Sequence, residues 1–250
     1  MPDRRAVFDR DEDTCQLCLT GVDPEEDAHA YPIGPDVEDL EDAHWSRVVT
    51  VCMDCLDRLR GETEPPESPV DVFRSVRSIT ETQSQTVGEA ADFASQATSF
   101  PDVLSAGDVP PYAADRRRLA LAIRAVEADL ETLPTGEQSD LEAAAQVSLE
   151  DFTRVSRDLQ ESLEELLGLV ESVAIAFGRC HVCFEPLEDG RADCPACGTA
   201  RRNIGRWRDE DGAVEFDRLF GDLSESLVDA SETTEEVARR TTVLAETLAE

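Results

Sequence analysis

Lysine is absent from the 250 residues, so all 23 basic side chains are arginine, set against 56 acidic ones and a formal net charge of −33. Aromatic residues make up only 5% of the chain. No run approaches the ~20 apolar residues that a membrane span requires. The opening MPDRRAVFDRDEDTC lacks the apolar stretch of a signal peptide. These absences predict a soluble cytoplasmic protein with no membrane partner, where thiols stay reduced and paired cysteines hold metal rather than form disulfides. P-loop, GxGxxG and GxSxG motifs are also missing, and three histidines supply no Ser–His–Asp arrangement.

A disordered acidic chain would show few apolar residues and no periodicity. Here 40% of residues are hydrophobic and recur at helical spacing, so disorder accounts only for linkers. The acidity instead fits a halophilic cytosol at molar salt, where the Debye length shrinks to ~3 Å and self-repulsion is screened. Together with the missing lysine, this composition resembles the proteomes of haloarchaea. Bulk acidity then says little about partners, and any basic patch stands out.

The expected architecture is mainly α, a long-helix bundle or hairpin carrying two small zinc-stabilised modules. Residues 1–60 form a cysteine-bearing unit, and GETEPPESP (61–69) reads as a linker because its prolines cannot continue a helix. A helical region over 70–178 follows. Its first helix, Val70 to Ala97, carries the stripe Phe73, Val76, Thr80, Gln83, Val87, Ala90, Ala94 and Ala97. FPDVLSAGDVPPY (100–112) is a break. A second helix, Ala113 to Leu133, shows Leu119, Ile123, Val126, Leu130 and Leu133, with Pro134 and Gly136 ending it. A third, from about Ser139 to Phe177, runs through Leu141, Ala145, Phe152, Val155, Leu159, Leu166, Val170 and Val173, a span of about 60 Å. The C-terminal stretch, 213–250, is the most regular. Phe216, Phe220, Leu223, Leu227, Ala230, Thr234, Val237, Thr241, Leu244 and Leu248 keep a coiled-coil heptad spacing. An antiparallel hairpin of the last two helices, with the second cysteine unit at its tip, is the simplest arrangement.

That second unit, 179–208, contains Cys180-His-Val-Cys183 and Cys194-Pro-Ala-Cys197-Gly198, two C-x₂-C knuckles separated by ten residues. Two residues between cysteines let both sulfurs reach one Zn²⁺ at about 2.3 Å, and two such turns close a tetrahedral site. Four protein ligands leave no open position, which predicts a structural zinc, with His181 a spectator. The pattern resembles zinc ribbons and rubredoxin-like modules, a scaffold rather than an activity. TARRNIGRWR (199–208) follows with four arginines, a tryptophan and no acid. Arg201, Arg202, Arg206, Trp207 and Arg208 suit phosphate contact with base stacking or an acidic protein partner. The alternative is that they pair with acidic helix faces of the chain itself.

Cys15-Gln-Leu-Cys18 and Cys52-Met-Asp-Cys55 enclose 33 residues, room for a hairpin between the knuckles of a second structural Zn²⁺ site. With Arg5-Ala-Val-Phe-Asp-Arg10-Asp11, Ala28-His29-Ala30-Tyr31-Pro32 and Val48-Val-Thr-Val before Cys52, residues 4–60 resemble an HNH endonuclease domain. The resemblance implies a ββα fold and places the general base on His29. It also places metal ligands on Ala28 and Leu56, which cannot coordinate, and an Asn near Arg47; Asp27 or His44 could substitute, but neither occupies the expected place. Cleavage of this type needs a divalent metal to stabilise the leaving oxygen. The expectation is a retained fold with lost catalysis, and a structural hydrogen-bonded role for His29. His44 and Trp45 are expected to pack between helix and hairpin. Three functions remain: a non-enzymatic zinc adaptor for nucleic acid or protein, a nuclease with altered ligands centred on His29, and a structural protein that oligomerises through its last helix.

Overall fold

The structure, a computed structural model, describes residues 4–33, 43–106, 110–134, 141–188 and 190–249. The expected features at Gly136 and Ser139 lie outside these residues. The chain is mainly helical, with one two-stranded sheet among the described residues.

Four long helices form the body: α3 (Pro69–Thr98), α5 (Tyr112–Thr132), α6 (Ala143–Ala176) and α7 (Phe216–Ala249). The remaining helices are α1 (Arg4–Arg10), α2 (Met53–Leu59) and α4 (Phe100–Ser105). Ser68 starts α3 by accepting from the Asp71 N–H at 3.2 Å, with Pro69 in the first turn, where its missing N–H is no loss. The segment expected as a break at 100–112 contains α4, whose Pro101 likewise sits in a first turn. At the far end of α6, Gly178 takes φ +70°. Its N–H reaches the Ile175 carbonyl at 2.9 Å, and the Arg179 N–H reaches Ala174 at 2.9 Å, the paired bonds of a Schellman cap.

The four helices share one core, in which Phe152, Leu159, Leu163, Leu166, Val170 and Val173 of α6 are essentially buried. Truncating any one of these leucines to alanine would cost about 2–5 kcal/mol. Helices α6 and α7 run antiparallel. Phe177 stacks on Phe216 at 4.8 Å at one end, and Arg240 pairs with Asp151 at 2.9 Å at the other. Each has 34 residues, so the hairpin is about 50 Å long. Leu219, Leu223, Ala230, Val237 and Leu244 of α7 lie in this same core, and Thr241 bonds Thr80 of α3 at 2.6 Å. A polar layer crosses the middle: Gln83 donates to the Ser156 carbonyl at 2.8 Å, and Gln160 donates to the Ile123 carbonyl at 2.8 Å. Such a layer penalises any shift of register, because sliding one helix would bury these amides unpaired.

The N-terminal unit pairs β1 (His29–Pro32) antiparallel with β2 (Val48–Val51), His29 opposite Val51, before α2 begins at Met53. Its Val49, Val51, Leu56 and Leu59 share a second core with Ala120, Leu121 and Ala125 of α5. Arg58 seals that contact by a forked pair with Asp129, its Nε at 2.7 Å. The second cysteine unit sits at the end of the bundle. Phe184 stacks on Tyr112 at 4.6 Å, Tyr112 donates to the His181 carbonyl at 2.9 Å, and Ile204 and Trp207 enter the main core.

Candidate metal centres and the arginine flank

Three of the four knuckles share one backbone shape, which follows from local hydrogen bonding. In Cys15–Thr20, Cys180–Glu185 and Cys194–Thr199 the first cysteine's N–H reaches the carbonyl five residues on, at 2.8–2.9 Å. Its carbonyl accepts from the residue four on, at 2.9 Å in each case. That fourth residue is left-handed every time: Leu19 at φ +60°, Phe184 at +63°, Gly198 at +71°. Only Gly198 adopts this freely; a side-chained residue there carries a cost of roughly 1–2 kcal/mol. Phe184 recovers it through its aromatic contacts, whereas Leu19 is two-thirds exposed and does not. The fourth knuckle differs: Cys52 precedes α2, and its carbonyl accepts from Leu56 as a first helical turn.

These turns bring the sulfurs of Cys15, Cys18, Cys52 and Cys55 within 4.8 Å of one another, and those of Cys180, Cys183, Cys194 and Cys197 equally so. Within the sets, Cys180 and Cys197 lie 3.6 Å apart, Cys183 and Cys194 3.6 Å, and Cys18 and Cys52 3.8 Å. None of the eight is paired in a disulfide. Thr20 and Thr199 place hydroxyls 3.3 Å from the Cys18 and Cys197 sulfurs, a contact that supports a thiolate. Hydrogen bonding from Cys55 holds the Cys15 thiol down at about 4, and bonding from Cys180 and Cys183 pulls Cys197 well below the ordinary range. Their partners Cys55, Cys180 and Cys183 are pushed up in turn, so each set shares its protons until a divalent cation at the centre of this soft four-sulfur donor set displaces them.

Both sets can therefore hold a metal ion, and neither offers a free coordination position. The chain matches no family model, no curated protein and no solved structure.

The centres differ in shelter. Cys18 is exposed, as are the neighbouring Leu19 and Met53, whereas three of the four cysteines in the second set are buried. No helix among the described residues is long and apolar enough to cross a membrane.

Of the residues in the nuclease comparison, Ala28 and His29 line a cleft of about 470 Å³, together with Arg4, Phe8 and Glu25 among others. His29 stands at the start of β1, and its Nε2 is buried without a hydrogen-bond partner. The hydrogen bond expected for this histidine is not made at that ring nitrogen. His44 pairs with Ser46 at 2.8 Å rather than with His29, and Leu56 is buried in the apolar core against α5. Trp45 is nearly half exposed, with Arg10 over its ring at 5.6 Å, so it does not fill the space between helix and hairpin.

Two of the four arginines of the flank, Arg202 and Arg206, meet the chain's own carboxylates. Trp207 is buried and donates from Nε1 to Asp222 at 2.7 Å, leaving no ring face open for a base. Arg206 covers the Trp207 ring at 3.9 Å. Arg202 pairs with Glu171 at 3.1 Å, and Arg208 bonds the Gly212 carbonyl. Arg201 is half-buried, with its backbone N–H on Ala192 at 2.6 Å.

Sequence reasoning missed the two residues that make Arg202 important. Arg116 and Glu171, on the interior of α5 and α6, form a buried ion pair at 2.7 Å with side chains 7% and 5% exposed. Arg202 completes a triad by joining the other oxygen of Glu171. A polar residue inside a helical apolar stripe carries no signal of its own burial, and nothing short of the fold reveals it.

Proposed function

We infer that this chain is a non-enzymatic zinc protein in which two structural ions fix small modules to a helical body that assembles a complex. The observation that carries the reading is the closure of both sites: each set of four sulfurs lies within 4.8 Å, with no position left for substrate or water. Four cysteine thiolates select zinc among abundant divalent ions, and the three matching knuckles are the turns such an ion requires. The acid-rich, lysine-free composition supports a high-salt intracellular origin, where an exposed protein face serves as well as a basic one.

Between a nucleic-acid and a protein partner, the burial of Trp207 and the pairing of Arg202 favour protein. Metal analysis of the purified chain should return two zinc ions, with cobalt replacement giving the absorption of a tetrahedral thiolate site. Labelled DNA and RNA should then fail to bind at molar KCl. Binding that disappears in an Arg201/Arg202/Arg206/Arg208→Ser variant would restore the nucleic-acid adaptor, and a metal content below two would sink the structural reading.

One observation favours a second reading, an HNH-type nuclease with altered ligands: the order β1, β2, α2, with His29 lining a cleft and its Nε2 buried without a partner. Cleavage dependent on Mg²⁺ or Mn²⁺ and abolished by His29→Ala would establish it. Ala28 and Leu56, in place of two ligands, weigh against that result.

A further inference from the structure

The first sulfur set divides into an inner and an outer half. Cys15 and Cys55, 0% and 7% exposed, belong to the core that Leu56 and Leu59 share with Ala120, Leu121 and Ala125 of α5. Cys18 is exposed and Cys52 half-buried, and their sulfurs lie 3.8 Å apart. The second set has no such outer half: Cys180, Cys194 and Cys197 are buried, and Cys183 is half-buried. Cys18 alone among the eight is exposed.

The backbone that carries Cys18 is also the least secured of the three matching knuckles. Gly198 takes the left-handed position without strain, and Phe184 is held in it by ring contacts with Tyr112 and Phe100 at 4.6 and 5.1 Å. Leu19 occupies the same position at φ +60° with no burial to offset the strain. On the other side of the pair, Met53 next to Cys52 is 45% exposed. The Thr20 hydroxyl, 3.3 Å from the Cys18 sulfur, supports a thiolate there. Attack on an oxidant requires a thiolate that the oxidant can reach, and a stable product requires a second sulfur close by. Cys18 meets both conditions, whereas the buried cysteines of the second set fail the first.

We propose that Cys18 is the site at which peroxide oxidises this chain, with Cys52 as the resolving thiol, and that the disulfide they form expels the first metal ion while the second centre keeps its own. The inference rests on the zinc reading above. The Cys18 sulfur attacks one oxygen of hydrogen peroxide, the O–O bond breaks, and a sulfenic acid forms as the first water leaves. The Cys52 sulfur then attacks the Cys18 sulfur, closing the S–S bond and releasing the hydroxyl as a second water. Two thiolates, one peroxide and two protons thus give one disulfide and two waters. The zinc, deprived of two ligands, departs with its oxidation state unchanged. Because Cys15 and Cys55 of the same set belong to the core against α5, loss of the ion loosens the N-terminal unit where it meets that helix.

The test treats the zinc-loaded full chain with hydrogen peroxide beside a colorimetric zinc chelator, and maps disulfides by peptide mass spectrometry. One zinc per chain should leave at least about tenfold faster than the other, as exposure of the thiolate dictates. Cys18–Cys52 should be the disulfide of that fast phase, and a reductant with added zinc should reverse it. Hydrogen exchange should rise in β2 and α2 during the fast phase and stay unchanged in α6 and α7. Cys18→His keeps a ligand at the outer position but no oxidisable sulfur, so it should hold two ions and lose the fast phase. Cys183→His, at the least buried position of the second set, should retain it. Release of both ions at one rate, faster loss from the second centre, or a first disulfide that leaves Cys18 reduced would overturn the proposal. Metal analysis before peroxide keeps the two readings apart. Fewer than two zinc ions refutes the zinc reading, while the disulfide map of the wild-type chain still decides on Cys18, even where Cys18→His fails to load.

Discussion

Glu171→Leu is the substitution whose effect follows most directly from the geometry. Glu171 is 4% exposed and accepts from Arg116 at 2.7 Å and from Arg202 at 3.1 Å. Removing its carboxylate strands Arg116, itself 6% exposed, in the core between α5 and α6. Breaking a buried pair in this way costs about 3–5 kcal/mol, because the remaining charge has no water to turn to. Arg202→Ala, by contrast, deletes a residue 43% exposed on its side chain and should cost about 1 kcal/mol or less. The double variant Arg116→Leu/Glu171→Leu removes both buried charges and replaces them with apolar volume, which brings stability back to within about 2 kcal/mol of wild type. With a urea m-value of about 2 kcal/mol per molar, Glu171→Leu shifts the denaturation midpoint down by roughly 2 M, and the double variant recovers most of it. Circular dichroism at the helical band reads both. A Glu171→Leu shift below about 0.5 M, or a double variant as unstable as the sum of its parts, would refute the claim that this triad is enclosed.

Further outcomes follow from other positions. Leu19→Gly relieves a left-handed residue that is 67% exposed, so stability should rise by about 1 kcal/mol in the same urea titration; a loss would show that Leu19 packs against something. At Gly168 an added Cβ would collide with the Arg202 guanidinium, which offsets the ~1 kcal/mol gained when alanine replaces a helical glycine. Gly168→Ala should accordingly be near neutral in the wild type and stabilising by about 1 kcal/mol in an Arg202→Ala background. Complete burial, and then the charge of Glu171, push the Tyr112 hydroxyl well above 10. Its folded-state pKa lies above the unfolded one, so its contribution is intact below pH ~10 and is lost as pH rises beyond it. Tyrosinate absorbance at 295 nm should show Tyr112 ionising only together with loss of helical signal, and an earlier, separate ionisation would contradict its burial.

Much of this architecture was legible from spacing. The stripe predicted for α5 is buried throughout, and in α6 Ala145, Phe152, Leu159, Val170 and Val173 are inside as the 3.6-residue period requires. In α3 the period was right and five of the eight expected positions, Val76, Gln83, Ala90, Ala94 and Ala97, are buried. The buried line runs through Val72, Val76, Ile79, Gln83, Thr86, Ala90, Phe93 and Ala97, whereas Phe73, Thr80 and Val87 are only half-buried. Helix α3 touches α5, α6 and α7, so its apolar face is wide, and a choice between adjacent apolar residues cannot be made from sequence. The cysteine spacing gave the ligand sets, because a C-x₂-C turn constrains its own sulfurs. The arginine flank was readable as a charge anomaly, but its partners Glu171 and Asp222 lie 31 and 15 residues away from Arg202 and Trp207 in sequence, and no local pattern pairs them. Arg116 and Arg117 look identical in the run RRR; which of them faces the bundle and which the N-terminal unit is decided only by how α5 is rotated.

The ribbon between α6 and α7 occupies a connection of 39 residues, from the end of one helix at Ala176 to the start of the next at Phe216. Closing so long a loop is entropically unfavourable, and an ion that ties Cys180 to Cys197 takes the 16 residues between them out of the flexible path. The loop-closure law makes that saving only about 0.5 kcal/mol, since the cost grows with the logarithm of length. A metal ion that acted as a mere cross-link would scarcely influence how α7 finds α6. What joins this connection to the helices is the surface it presents: Phe184 against Tyr112 of α5, Trp207 under Asp222 of α7, and Arg202 reaching Glu171 of α6. A bound ion would therefore act on the hairpin by shaping a wedge rather than by shortening a tether. A flexible linker of the same contour length would be a poor replacement for it, and a shorter one no better.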